Sequence, residues 1–104
     1  MTTEAALETI RARPALDFTK VEALRKHMLL TVSDMAKLLG VSRPTYYGWI
    51  QGKPLRRSNE AYVRLMLKRL LAVMTEYNWP MPEVIAASAS ERKKMLDELI
   101  EKGL

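Results

Sequence analysis

A chain of 104 residues with 48% hydrophobic content can bury one domain's core without staples, and its formal net charge of +5 favours acidic partners. With no cysteine it has no disulfide, thiolate metal site or cysteine nucleophile, and its single histidine, His27, leaves no metal-ligand or acid–base constellation. The start MTTEAALETIRARP lacks the apolar run of a signal peptide, no window approaches the ~20 apolar residues of a membrane span, and no alternating strand pattern or phosphate-cradling Gly-rich loop is present. The expectation is an all-α, non-enzymatic, cytoplasmic protein with no cofactor and no metal.

In chain order, residues 1–16 read as an N-terminal arm, broken at Pro14 and carrying Arg11 and Arg13. The first domain helix is expected to begin at Thr19, which with Glu22 has capping-box spacing, and to set Val21, Leu24 and Met28 on one face. Thr31 and Asp34 then open a second helix over roughly 32–39. Met35, Ala36, Leu38 and Leu39 make it apolar, and Gly40 permits a left-handed exit.

Ser42 can cap the next helix by accepting a free backbone N–H, Pro44 fits a first turn that needs no internal donor, and Val41 can staple against Tyr46. Gly52 stops this helix about three turns later. Within it Tyr46, Trp49 and Ile50 form the stripe expected to be buried, while Pro44, Tyr47, Gly48 and Gln51 recur on the opposite side, joined by Arg43. A basic loop, Lys53-Pro54-Leu55-Arg56-Arg57, follows.

Ser58 is expected to cap a long helix over about 59–77, apolar around more than half its circumference. Tyr62, Met66, Leu70, Val73 and Tyr77 form one stripe, and Val63, Leu67, Leu71 and Met74 another; the second must meet the C-terminal segment or a second subunit. Asn78-Trp79-Pro80-Met81-Pro82 breaks the helix. Ser90 is then expected to cap a helix to about 102, ended by Gly103, with Met95, Leu96, Leu99 and Ile100 on one side. The seven methionines and the aromatics fall at core spacing and read as packing.

Leu39-Gly40-Val41-Ser42-Arg43, Thr45, Trp49 and Gly52-Lys53 resemble the LGVSR-x-T-x-x-x-W-x-x-GK signature of the lambda-repressor-like (Cro, XRE-type) DNA-binding family. Residues 89–104 read as an amphipathic helix that either packs within its own chain or serves as a dimerisation element; the resemblance implies a compact helical domain over about 17–88 with a central helix-turn-helix. It also implies a reading helix (about 43–51) in the DNA major groove. Arg43, Pro44, Tyr47 and Gly48 are then the base-reading candidates, with Gly48 allowing close backbone approach, and Ser33, Ser42, Thr45, Gln51, Lys53, Arg56 and Arg57 the phosphate-contacting ones. One position departs from the family: the glutamine often found at the start of the first of the two helices is Val32 here, so that phosphate contact must come from elsewhere, such as Ser33.

Charge follows the motif: residues 31–57 carry five Lys and Arg against one Asp, whereas residues 79–104 are slightly acidic and suit a protein surface. The expected function is a transcriptional regulator, by default a repressor that occupies an inverted-repeat operator as a homodimer, because these residues hold no obvious sensor domain. Activation would need only a small contact with RNA polymerase. The alternative is a protein-interaction module on the same fold, such as an antitoxin, polymerase-binding or phage control factor.

Overall fold

A computed structural model describes residues 15–103, so Arg11 and Arg13 lie outside the described residues. The described residues form six helices and no strand: α1 (Phe18–His27), α2 (Val32–Leu38), α3 (Arg43–Ile50), α4 (Arg57–Tyr77), α5 (Pro82–Ala86) and α6 (Ala89–Lys102). The all-α architecture expected from the sequence is what is found.

The first three helices end in the same way, with the two N–H groups after the helix turning back onto its last free carbonyls. After α1, Leu29 and Leu30 donate to the Lys26 and Arg25 carbonyls (3.2 and 3.1 Å). After α2, Gly40 and Val41 donate to Lys37 and Ala36 (3.1 and 2.9 Å), and after α3, Gly52 and Lys53 donate to Trp49 and Gly48 (3.1 and 2.9 Å). The turn needs a left-handed residue, and glycine supplies it at Gly40 (φ +75°) and Gly52 (φ +98°). At the end of α1 a leucine does so, with Leu29 at φ 61°.

The caps of α2 and α3 are those expected: the Thr31 and Ser42 hydroxyls accept the backbone N–H groups of Asp34 and Thr45. Three other starts differ from expectation by one or two residues. Asp17 caps α1, accepting from the Thr19 N–H at 3.0 Å, because Glu22 is drawn away to Arg25 and Tyr46. The long helix α4 opens at Arg57 without a side-chain cap, so Ser58 sits inside its first turn. Ser88 caps α6 in a reciprocal box with Glu91, the three-residue spacing that Ser90 lacks.

All six helices contribute buried side chains to one core. α1 and α2 pack on α3, and α6 packs on α4 and α5. Buried side chains include Phe18, Met28, Met35, Tyr46, Trp49, Val63, Leu70 and Val84, with the Phe18 and Trp49 rings 5.1 Å apart. Burying each aliphatic or aromatic side chain of this kind contributes about 1.5–3 kcal/mol. Leu96 and Ile100 of α6 are buried in that same core, with Met95 and Leu99 packed against it. The apolar side of the C-terminal helix thus completes the chain's own interior.

Trp79 locks the corner after α4. Asn78 takes a left-handed conformation (φ 55°), and the Trp79 ring enters the core while its Nε1 donates to the Met28 carbonyl at the end of α1 (2.9 Å). On the other side of the corner, Arg92 of α6 donates through Nε and Nη2 to the Val84 and Ile85 carbonyls (both 2.8 Å), so α6 satisfies the last turn of α5.

Four apolar positions are not in the core as expected, and one of them, Tyr77, ends α4 at 36% exposure. Ile50 is 37% exposed and lines an open groove with Leu16 and Leu55. Tyr62 lies over the α2 exit, its Cε1 3.0 Å from where a Cβ would stand on Gly40. Leu71 edges a second open groove with Leu16, Leu24 and Leu67. Of the two stripes on α4, the buried set is Val63, Met66, Leu67, Leu70 and Val73, an arc centred between them.

Candidate nucleic-acid interface

The outer face of α3 follows from its ends. Ser42 and the Gly52 turn fix its length at two turns, and burial of Tyr46 and Trp49 fixes its rotation, which leaves Arg43, Pro44, Tyr47 and Gln51 facing outward and exposed. Tyr47 is 43% exposed although aromatic. From Arg43 to Arg57 the sequence holds four Lys and Arg and no Asp or Glu, so the face and the loop after it present one sign of charge.

Those cations are not consumed by the fold. The ion pairs of the described residues are Glu22–Arg25, Glu60–Arg64 and Lys93–Asp97, none of which uses Arg43, Lys53, Arg56 or Arg57. Lys53 and Arg56 line a groove of about 490 Å³ beside α3, together with Ser42, Thr45, Gly48 and Asn59. The Ser42 and Thr45 hydroxyls are 3.0 Å apart and share one hydrogen bond, which leaves the second hydroxyl hydrogen free for an outside acceptor.

Each residue expected at the site can now be placed. Arg43, Pro44 and Tyr47 are exposed on the outer face; Ser42, Thr45, Lys53 and Arg56 border the groove; Gln51 is exposed just beyond α3, and Arg57 begins α4. Ser33 stands apart, partly buried in the first turn of α2. Gly48 requires a correction. It is buried, because the Lys53 side chain crosses it: a Cβ at Gly48 would stand 3.0 Å from Lys53 Cδ and 3.8 Å from its Cβ and Cγ. Bare backbone is not what α3 offers at that point.

Asn59 was not expected at the groove. Its signal was available, since an amide two residues into a helix behind two arginines is a ready hydrogen-bonding group, but nothing local said which way it faces.

Behind the face, α3 is tied to α1 through a charged cluster. The Tyr46 hydroxyl donates to Glu22 Oε1 at 2.6 Å, and Arg25 donates to both Glu22 oxygens (2.6 and 3.0 Å) and to the Leu30 carbonyl (2.9 Å). The hydrogen-bonded Arg25 guanidinium, against the opposing effect of burial and with help from the Tyr46 hydroxyl, holds the Glu22 carboxyl below the usual carboxylate range. Burial, reinforced by the Glu22 carboxylate, pushes the Tyr46 phenol up. The face is therefore mounted on a bonded support.

Residues 21–70 match the family model described as helix-turn-helix. This segment, from Val21 on α1 to Leu70 on α4, belongs to the lambda-repressor-like (Cro/C1-type) helix-turn-helix family, whose domains are DNA-binding regulators and generally not enzymes. Comparison with curated proteins and with solved structures gives no match. Among the described residues no helix is long and apolar enough to cross a membrane, and no group of three or more His, Cys, Asp and Glu could hold a metal ion.

Proposed function

We propose that the protein is a sequence-specific regulator that places α3 in the major groove of duplex DNA and represses transcription by occupying its operator. The observation that supports it best is the acid-free run from Arg43 to Arg57, whose four cations are outside the ion pairs of the described residues and flank an exposed helix face. A surface cation outside such pairs can neutralise a phosphate, and release of the counterions condensed on the DNA favours that contact.

In this proposal Arg43, Pro44 and Tyr47 meet base edges. Arg43 has the fork that matches guanine O6 and N7, and Tyr47 and Pro44 offer apolar contact to a thymine methyl. Ser42, Thr45, Gln51, Lys53, Arg56 and Arg57 hold the flanking phosphates, with Ser33 reaching the backbone from α2. Two copies on an inverted repeat would place two reading helices one DNA turn apart. Because the α6 apolar side is buried in its own chain, pairing would use other surfaces or form on DNA.

Selection of bound sequences from a random duplex pool tests the proposal. A recovered inverted repeat, with affinity that falls steeply with salt, supports it. Failure to bind any duplex at low salt overturns it in favour of a protein-interaction module on the same fold.

A further inference from the structure

Glycine is the poorest helix former after proline, yet Gly48 stands inside α3. The helix termination explains its neighbour. In the turn that ends α3, Lys53 donates its N–H to the Gly48 carbonyl, and this geometry lays the side chain of the donating residue over the one it bonds. The same turn after α2 joins Val41 to Ala36, so the turn itself tolerates a Cβ at that place. What differs at the end of α3 is the length of the covering side chain. The Lys53 stem runs across Gly48, with Cδ at 3.0 Å from the missing Cβ, so an alanine would displace the stem.

We propose that Gly48 is a positioning residue for Lys53. Its missing side chain seats the lysine stem against α3 and holds the ammonium at the rim of the groove shared with Ser42, Thr45 and Arg56, where it meets a DNA phosphate. The proposal rests on the reading of this face as a duplex-DNA interface. It replaces a direct role for the Gly48 backbone by one exerted through Lys53, and it makes the two positions a single unit.

The test is a four-protein cycle of wild type, Gly48→Ala, Lys53→Met and the double variant, each titrated with salt on random duplex and melted without DNA. Lys53→Met keeps the stem and removes the charge, and should flatten the slope of log affinity against log salt by about 0.9. Gly48→Ala should melt no lower than wild type, since alanine favours the helix and the lysine stem can swing away. It should flatten the slope in the same direction, and it should change nothing further when Lys53 is already methionine.

Equal loss of affinity in both backgrounds overturns the proposal and returns DNA contact to the helix backbone, as does unchanged binding by Gly48→Ala. A lower melting temperature also overturns it, because the added Cβ would then meet something less yielding than a lysine stem. If wild type binds no duplex, the interface fails separately. The seat is still decided by NMR, through a Gly48 Hα to Lys53 Hδ contact that must be present in wild type and whose absence overturns it.

Discussion

The Tyr46 hydroxyl donates to the Glu22 carboxylate at 2.6 Å, which joins the inner side of α3 to α1 across 24 residues of sequence. Tyr46→Phe removes that bond and leaves the Glu22–Arg25 pair in place. It should cost about 1.5 kcal/mol in chemical denaturation, the lower end for a hydrogen bond to a charged group because the site is only part-buried. Glu22→Ala should cost more, about 2–3 kcal/mol, because it leaves Arg25 and Tyr46 without their acceptor. Equal costs for the two would mean that Arg25 gains nothing from Glu22.

The same cluster sets a pH dependence. The Glu22 pKa is depressed in the fold, so its contribution is present above its ordinary value of 4.5 and is lost as pH falls through the folded value. The Tyr46 pKa is raised, so its contribution is present below its ordinary value of 10.0 and is lost as pH rises above it toward the folded value. Stability measured by urea midpoint should therefore decline at both acid and alkaline ends. Tyr46→Phe should remove the alkaline decline that belongs to this residue; an unchanged alkaline limb would assign it to other groups.

How much of this was legible in the sequence depends on the range of the interaction. Thr31, Gly40, Ser42 and Gly52 act on bonds within five residues, and each falls where its spacing placed it. The start of α1 slipped because Glu22 bonds Arg25 and Tyr46 instead of completing a box with Thr19, and α4 opens at Arg57 without a side-chain cap, whereas the start of α6 was open to a local reading in the Ser88–Glu91 spacing. Periodicity gave the direction of each apolar face but not how far a neighbour extends over it, which is why Ile50 and Leu71 remain at groove edges. The Glu22–Tyr46 bond and the cover of Lys53 over Gly48 arise only once helices or turns are brought together. The latter could have been read from the turn geometry, since a left-handed Gly52 already places residue 53 over residue 48.

Trp79 gives a sharp test of the corner that follows α4. Its ring is buried and its indole N–H serves the carbonyl at the end of α1. Trp79→Ala should lose about 3–5 kcal/mol, as expected for deleting a buried aromatic. Trp79→Phe keeps most of the apolar volume but withdraws the donor from Met28, and should lose less. If the two variants had the same midpoint in urea, the hydrogen bond would carry most of the effect and packing little.

Leu96 lies within the core and Leu99 packs against it. A charge at Leu96 would enter an apolar interior, where an unpaired carboxylate is expensive. Leu96→Ala should cost about 2–5 kcal/mol, and joint replacement of Leu96 and Leu99 by Glu should abolish the cooperative thermal transition. A folded, monomeric double variant seen by circular dichroism and sedimentation would instead mark this helix as a detachable subunit contact.

On the proposed DNA face, Arg43 and the pair Arg56 and Arg57 should fail in different ways. Arg43 leads the reading helix, so Arg43→Ala should cost about 1–3 kcal/mol on a selected operator and relax preference at one base pair in each half-site, with a smaller effect on random duplex. Arg56 and Arg57 stand on the loop side of the face, and a phosphate contact carries no sequence information. Changing both to Ala should weaken operator and random duplex alike and flatten the salt slope by about 1.8, twice the value for one contact. Comparing all variants on both duplexes over one salt series reads the two kinds of contact apart. Equal loss by Arg43→Ala on both duplexes would make Arg43 a phosphate ligand, and an intact salt slope without Arg56 and Arg57 would move the clamp to the Ser33 and Lys37 side of α2.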